Sequence, residues 1–162
     1  MASPQIALLE AGSLDDWQAA RELVAEYTQS LGIDLAFQQL DLEIAQLHAV
    51  YAPPSGAFLL AKVDDAWAGC CALRAMPDTD YPNAAEMKRL YVRPAFRRFG
   101  LGRSLSEGIL DAARRLGYHC VLLDTLDDME AARSLYDELG FEDIPPYYHN
   151  PIAGAHYLKV DL

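Results

Sequence analysis

The stretch EMKRLYVRPAFRRFGLG, residues 86–102, decides the fold of this chain. Its first part, Glu86–Val92, is short and apolar enough to predict a strand. Its last part, residues 97–102, is a glycine-rich turn, and apolar side chains then recur at helical spacing until Gly117. A strand, a glycine turn and a helix start bring unpaired N–H groups and the positive end of a helix dipole to one point. The stretch therefore predicts a binding site for a phosphate-like anion.

The distribution of charge agrees with an anion site. The chain of 162 residues has a net charge of −11, yet residues 88–115 carry eight basic side chains against two acidic ones. An acidic chain is a poor general binder of nucleic acid, so that class of partner is not expected. Arg114 and Arg115 are expected only to solvate a helix face, whereas the basic residues at the turn favour an anionic ligand.

Length and composition predict a single domain over residues 1–162 with a normal core, because 52% of the residues are hydrophobic. No apolar run reaches the length of a membrane span, and the N-terminus does not have the pattern of a secretory signal. Three cysteines in apolar surroundings, Cys70, Cys71 and Cys120, predict buried thiols and a cytoplasmic location. No metal site is expected, because the spacing of cysteine and histidine does not match one.

The order of predicted elements is β-α-α-β-β-β-α-β-α-β-β. Ser13 and Asp16 have the spacing of a capping box before a helix that ends at Gly32. A second helix is expected from Phe37 to Leu47, and a hairpin turn at residues 64–65. Hairpins followed by a β-α-β unit predict an α/β (α+β) fold with a central mixed sheet, mostly antiparallel, of about six or seven strands and about four helices.

Three segments of the chain, taken in order, are distinctive: Glu86–Pro94, Arg97–Gly102 and Ala132–Phe141. Together they resemble the GNAT superfamily of N-acetyltransferases. The first is similar to the fourth strand of the family, the second matches its acetyl-CoA signature, and the third is similar to its late helix and following strand. Other phosphate motifs fit less well, because the third glycine of a dinucleotide fingerprint is absent and so is a Gly-Lys-Ser/Thr sequence.

The resemblance implies that acetyl-CoA is the cofactor. In the family the signature turn binds the pyrophosphate through backbone N–H groups, and the preceding strand pairs with the pantetheine and polarises the thioester carbonyl. Carried over to this chain, the cofactor residues are Leu90, Tyr91, Val92, Arg97, Arg98, Phe99, Gly100, Leu101, Gly102 and Arg103. The alternative is an ordinary strand–helix turn with solvated arginines. One departure is Met129, which stands where many members carry an asparagine that contacts the cofactor.

Two residues are candidates for acid–base catalysis. Glu86 matches a strand glutamate that serves some family members as general base for the acceptor amine, and Tyr136 matches the tyrosine that often protonates the leaving thiolate. The alternatives are a surface glutamate paired with Lys88 or Arg89, and a core tyrosine on the stripe of its helix. The chemistry implied is direct attack without a covalent intermediate.

The acceptor is expected to be a primary amine of a small molecule or a peptide. The family lines this site with its first helices and a late loop, which here offer Glu26, Tyr27, Phe37, Tyr147 and Tyr148. Carboxylates flanked by aromatic rings suit a cationic amine, although each residue taken alone also fits a capping or packing role. Dimers are common in the family, so the resemblance also implies a homodimer as one expected partner state. The alternative function is a non-catalytic acyl-CoA-binding sensor of the same fold.

Overall fold

A computed structural model describes residues 3–32, 40–126 and 130–162 of the chain. Its strands form one sheet in the order β1-β2-β3-β4-β5-β7-β6. Neighbouring strands are antiparallel except for β4 and β5, so the expected mixed, mostly antiparallel sheet is confirmed. The strands are β1 (Ile6–Glu10), β2 (Ala57–Val63), β3 (Ala66–Ala75), β4 (Ala84–Val92), β5 (Cys120–Leu126), β6 (Glu142–Asp143) and β7 (Ala155–Asp161).

The helices among the described residues are α1 (Leu14–Leu31), α2 (Leu40–Ala45), α3 (Leu47–Tyr51), α4 (Leu101–Arg115) and α5 (Glu130–Glu138), with a 3-10 helix at Pro94–Phe99. One long second helix was the expectation, and here the structure differs. The chain breaks at Gln46, whose φ of −121° and ψ of 30° are not helical, and two short helices result. The expected start of that helix at Phe37 lies outside the described residues.

Two local predictions have clear physical causes. The Ser13 hydroxyl accepts a hydrogen bond from the Asp16 backbone N–H, and the Asp16 carboxylate accepts one from the Ser13 backbone N–H, so α1 begins with the predicted capping box. The hairpin between β2 and β3 turns at Asp64 and Asp65, whose φ values of 48° and 68° are both left-handed. A two-residue turn of this hand matches the twist of the strands it joins.

The sheet has an apolar core on each side. On one face, α4 and α5 cover alternate residues of β2 to β5, with Leu59, Leu73, Met87 and Leu123 in one cluster. On the other face, α1, α2 and α3 cover Phe58, Leu60, Cys70 and Ala72. We call these the α4 face and the α1 face. Within the described parts of the chain, no helix is both long and apolar enough to span a membrane.

Candidate active site

The central feature of the sheet is an opening between β4 and β5. These two parallel strands pair only at Ala84–Glu86 with Cys120–Leu122. Beyond that point β5 continues in register with β7 as far as Leu126, so it does not turn back to β4. The sheet therefore divides after Glu86, and the two strands leave a cleft between them.

A bulge in β4 lies at the start of this cleft. Cys70 pairs with Tyr91 and Ala72 pairs with Lys88, so Arg89 and Leu90 together stand opposite the single residue Cys71. Arg89 has a φ of 61°, which places it in the left-handed region. An extra residue of this kind bends a strand and increases its twist. The bulge thus gives a physical reason for the separation of β4 from β5.

The cleft encloses about 690 Å³ including its open mouth. It reaches both faces of the sheet. The wall toward the α1 face includes Tyr27, Lys88, Arg89, Asp124, Asn150 and Ile152. The wall toward the α4 face includes Met87, Leu90, Leu123, Thr125, Ala132 and Tyr136.

The glycine turn leaves the N-terminus of α4 without a side-chain cap, as an anion site requires. Gly100 has a φ of 69° and is the N-cap residue, so no side chain caps the first turn of the helix. The first N–H groups of a helix have no partner inside the helix. A Cβ added at Gly102 would meet only Leu135 Cδ2, at 3.7 Å. Internal packing therefore does not require a glycine at this position, and the open space above the helix start is available to a ligand. The turn fits a pyrophosphate group bound by backbone amides.

The arginines of the turn differ in their contacts. Arg97 Nε donates to the carbonyl of Val92 at 3.0 Å, and Arg98 donates to the carbonyl of Ala95 at 3.3 Å. Among the residues that the structure describes, no carboxylate pairs with either guanidinium. Arg103, by contrast, is bound by Glu107 and Glu138. Arg97 and Arg98 are therefore better placed than Arg103 to add charge to the anion site.

Tyr136 projects from α5 into the α4-face wall of the cleft. Its ring packs edge-on against Phe141 at 5.6 Å, and only 6% of the residue is exposed. Burial raises the pKa of the Tyr136 phenol well above its usual value, because the charged form loses water. The hydroxyl is therefore protonated and able to donate a hydrogen bond.

Glu86 is fully buried, and both of its carboxylate oxygens are engaged. Oε1 accepts from Arg74 Nε at 2.9 Å and lies 3.8 Å from Lys88 Nζ. Oε2 accepts from the Tyr147 hydroxyl at 2.7 Å. Glu86 does not form part of the cleft wall, whereas its neighbour on the same face, Lys88, does.

Asp124 is the carboxylate on the cleft wall, and it projects from β5 on the α1 face. Its Oδ2 accepts hydrogen bonds from the Tyr148 hydroxyl and from Asn150 Nδ2. In the parts of the chain described, no hydrogen bond is made to Oδ1. The loop after β6 is thus held by one oxygen of Asp124.

A buried ion pair joins β4 to α2 on the α1 face of the sheet. Arg89, in the bulge, donates to both oxygens of Glu43 on α2, at 2.8 and 3.0 Å. Burial alone would raise the pKa of Glu43, but the bonds and the charge of Arg89 outweigh it and lower that pKa. The contact fixes α2 against the strand that carries Lys88.

The remaining predicted acceptor residues are only partly brought together. Tyr27 lies on the cleft wall, and burial raises its pKa to about 12. Tyr147 and Tyr148 contact Glu86 and Asp124 as described above. Glu26 is instead paired with Arg93 at 2.6 Å and is not on that wall. Phe37 and Met129 lie outside the described residues.

Comparison with known proteins agrees with this geometry. The model of the acetyltransferase (GNAT) family matches residues 17–141. An uncharacterized N-acetyltransferase of Schizosaccharomyces pombe is 41% identical over 150 residues, which are 92% of this chain and 88% of that one. This chain belongs to the GNAT acetyltransferase family.

Solved structures share the GNAT fold. An acetyltransferase of Streptococcus agalactiae superposes with a TM-score of 0.76 at 23% identity, covering 97% of this chain and 98% of that one. The PaiA N-acetyltransferase of Thermoplasma acidophilum, solved in complex with coenzyme A, gives a TM-score of 0.69 at 17% identity, covering 98% and 99%. At these identities the likeness concerns the fold alone.

Sequence reasoning missed two wall residues of this GNAT protein, Lys88 and Asp124. Lys88 was treated only as a partner for Glu86. Asp124 lies inside the apolar run of β5, which predicts a strand buried on both faces. The signal that could have found it is the carboxylate itself, since an aspartate is almost never fully buried unless it is paired, and an apolar strand is a costly place for one.

Proposed function

We propose that this GNAT acetyltransferase transfers an acetyl group from acetyl-CoA to a primary amine of a small molecule or peptide, by direct attack inside the β4–β5 cleft. The observation that carries the proposal is the position of Asp124 and Tyr136 on the two walls of one cleft. When bound, acetyl-CoA supplies an acetyl group activated as a thioester.

The residues that would hold this donor are those at the bulge and the turn. The uncapped first turn of α4 offers N–H groups to the pyrophosphate, and Arg97 and Arg98 add positive charge. The segment Leu90–Val92 begins in the bulge and offers backbone groups to the pantetheine arm. An N–H group there would polarise the thioester carbonyl as an oxyanion donor does.

Asp124 is the general base that the geometry favours. An acceptor amine must lose a proton before it can attack, and a carboxylate within hydrogen-bond reach can take that proton. Asp124 lies on the wall and has one oxygen without a described partner, whereas Glu86 is fully buried with both oxygens engaged. Glu86 as base stays a prediction, and its proton path would have to run through another group.

Tyr136 is the proposed general acid. Its pKa is raised by burial, so the phenol holds its proton beside the cleft. The departing sulfur carries negative charge, and a hydroxyl next to it can donate a hydrogen bond or a proton.

Direct attack is supported by the state of the cysteines. Cys70, Cys71 and Cys120 are buried, and burial raises the pKa of each thiol, that of Cys70 to about 12. A thiol with a raised pKa is a poor nucleophile at neutral pH. The same buried, reduced thiols are the support for a cytoplasmic location, which belongs to this proposal together with a homodimeric state.

A thiol-release assay tests the function. The purified chain is incubated with acetyl-CoA and a panel of amines, amino acids, polyamines and peptides, and the products are identified by mass spectrometry. Release that depends on an amine, with an acceptor heavier by one acetyl group, is the expected result. Tight binding of acetyl-CoA without transfer to any amine would instead support the acyl-CoA sensor.

A further inference from the structure

Two opposite charges face each other across the cleft. The last paired residues of β4 and β5 are Glu86 and Leu122. Side chains two residues apart on a strand share a face, so the next positions on that face are Lys88 and Asp124. Both lie on the wall of the cleft. The division of the sheet thus separates an ammonium on one strand from a carboxylate on the other, at the same level.

Lys88 is an unusual residue for a cavity wall, because only 8% of it is exposed. Burial lowers the pKa of Lys88, and the attraction of Glu86 only partly offsets this effect. The Glu86 oxygen nearest to the ammonium, at 3.8 Å, is beyond hydrogen-bond distance and already accepts from Arg74. An ammonium has three N–H donors, so Lys88 can hold a ligand carboxylate together with its other contacts.

The neighbouring cations do not compete for this role. Arg89 donates to both oxygens of Glu43, and Arg74 donates to Glu86. Opposite them, Asp124 offers an oxygen that attracts an ammonium. A ligand that satisfies both side chains has a positive group and a negative group close together.

We propose that the acceptor is a free amino acid, whose carboxylate pairs with Lys88 while its amine lies against Asp124. This inference rests on the proposed function and narrows it. An internal peptide residue or a polyamine has no carboxylate beside its reactive amine, so such acceptors leave Lys88 without its ligand.

The test compares acceptors that differ only in the carboxylate. Each amino acid of a panel is assayed beside its carboxamide and its decarboxylated amine, by thiol release with the full chain. A site built for a charged group rejects an analogue that lacks it, so kcat/KM should be at least about 100-fold higher for the best amino acid. Equal kcat/KM for the amino acid and its two analogues would overturn the inference and leave acetyl transfer standing.

Lys88→Met supplies the second arm, with Lys62→Met as the matched lysine control outside the cleft. The ratio of kcat/KM for the amino acid to that for its amine should fall toward one in K88M, mainly through KM, and stay at the wild-type value in K62M. Lys88→Arg should restore part of the ratio. If K88M lowers kcat/KM for both acceptors equally, Lys88 does not bind the carboxylate of the acceptor and the inference fails.

Binding is measured separately so that a failure of this inference can be distinguished from a failure of the proposed function. In the presence of coenzyme A, the amino acid should raise the Tm of the wild-type chain and the amine should not. Thiol release with amines but not with amino acids contradicts this inference alone. No release with any acceptor contradicts the proposed function, and the inference with it.

Discussion

The two walls of the cleft are built in different ways. The donor side, at the bulge in β4 and the start of α4, offers backbone groups, and the side chains of Arg97, Arg98 and Tyr136 lie beside them. The acceptor side is made of side chains, among them Lys88, Asp124 and Asn150, which come from segments far apart in the chain. A backbone site binds the same group in any chain with that turn, whereas a side-chain site can change its ligand by single substitutions. Under the proposed function, one wall therefore recognises the acetyl donor and the other recognises the acceptor.

The largest expected effect comes from removing the proposed base. Asp124→Asn should lower kcat by about 100- to 10,000-fold, the range of general acid–base catalysis, while the Kd for acetyl-CoA stays unchanged. Steady-state kinetics and calorimetric titration measure the two quantities. Asp143→Asn, an exposed carboxylate on β6, is the matched control and should retain activity.

Glu86→Gln tests whether Asp124 or Glu86 is the general base. Because Glu86 is buried against Arg74, its neutralisation should mainly lower the free energy of unfolding. A loss of kcat as large as that of D124N, in a stable E86Q variant that still binds acetyl-CoA, would transfer the role of base to Glu86.

The next effect concerns the ion pair that fixes the acceptor side. Glu43→Gln leaves Arg89 buried without its carboxylate, which should cost about 3–5 kcal/mol of stability. The pKa of Glu43 is lowered in the folded chain. The stability that ionised Glu43 contributes is therefore fully present above about pH 4.3, the usual glutamate pKa. It is lost as the pH falls through the lower pKa that Glu43 has in the folded chain.

Urea unfolding at several pH values measures this difference. The gap between wild type and E43Q should be widest near neutral pH and should narrow in acid. Glu107→Gln, which breaks the exposed pair with Arg103, is the control and should change stability by less than about 1 kcal/mol. A gap that does not depend on pH would show that Glu43 acts through packing rather than charge.

A smaller effect is expected at the proposed acid. Tyr136→Phe keeps the ring against Phe141 and removes the hydroxyl. A hydrogen bond to a charged group is worth about 1.5–3 kcal/mol, so kcat should fall by about 10- to 100-fold with little change in Tm. Unchanged kcat in pre-steady-state and steady-state assays would leave Tyr136 with a packing role only.

The smallest effect tests the donor wall. Gly102→Ala meets only Leu135, so the free chain should gain up to about 0.5–1 kcal/mol from better helix propensity. The new methyl group narrows the approach to the first turn of α4, and the Kd for acetyl-CoA should rise about tenfold, or 1.4 kcal/mol. Gly108→Ala on the same helix is the contrast. Its Cβ would lie 2.8 Å from Leu59 Cδ1, the end of a side chain that can shift, and it lies away from the first turn of α4, so the Kd should stay the same.

The donor wall could be predicted from the sequence because its signals are contiguous. The turn, the strand before it and the helix after it lie within residues 86–116, and glycine spacing specifies their geometry. The capping box at Ser13 and the hairpin at Asp64 are equally local, and the structure contains both. In each case a few neighbouring residues fix the backbone.

The acceptor wall could not be predicted in the same way. Asp124 and Lys88 become neighbours only because β4 and β5 separate, and that separation follows from a bulge that leaves no pattern in the sequence. The break at Gln46 was missed for a related reason, since an apolar stripe continues across it. Glu26 was predicted at the acceptor site because it lies on the correct helix, but Arg93 pairs with it elsewhere.

The bulge at Arg89 also makes the length of β4 a constraint. Before it, Glu86 and Lys88 share the α1 face, and after it the same face is taken by Tyr91, which is an odd number of residues away. Deleting one residue at 89–90 would restore regular alternation and leave Lys88 and Tyr91 on the same face of the sheet. The side chains would keep their faces, but the bulge that separates β4 from β5 would be lost. Substitutions in this strand can be absorbed locally, whereas a deletion at the bulge would remove the opening on which both walls depend.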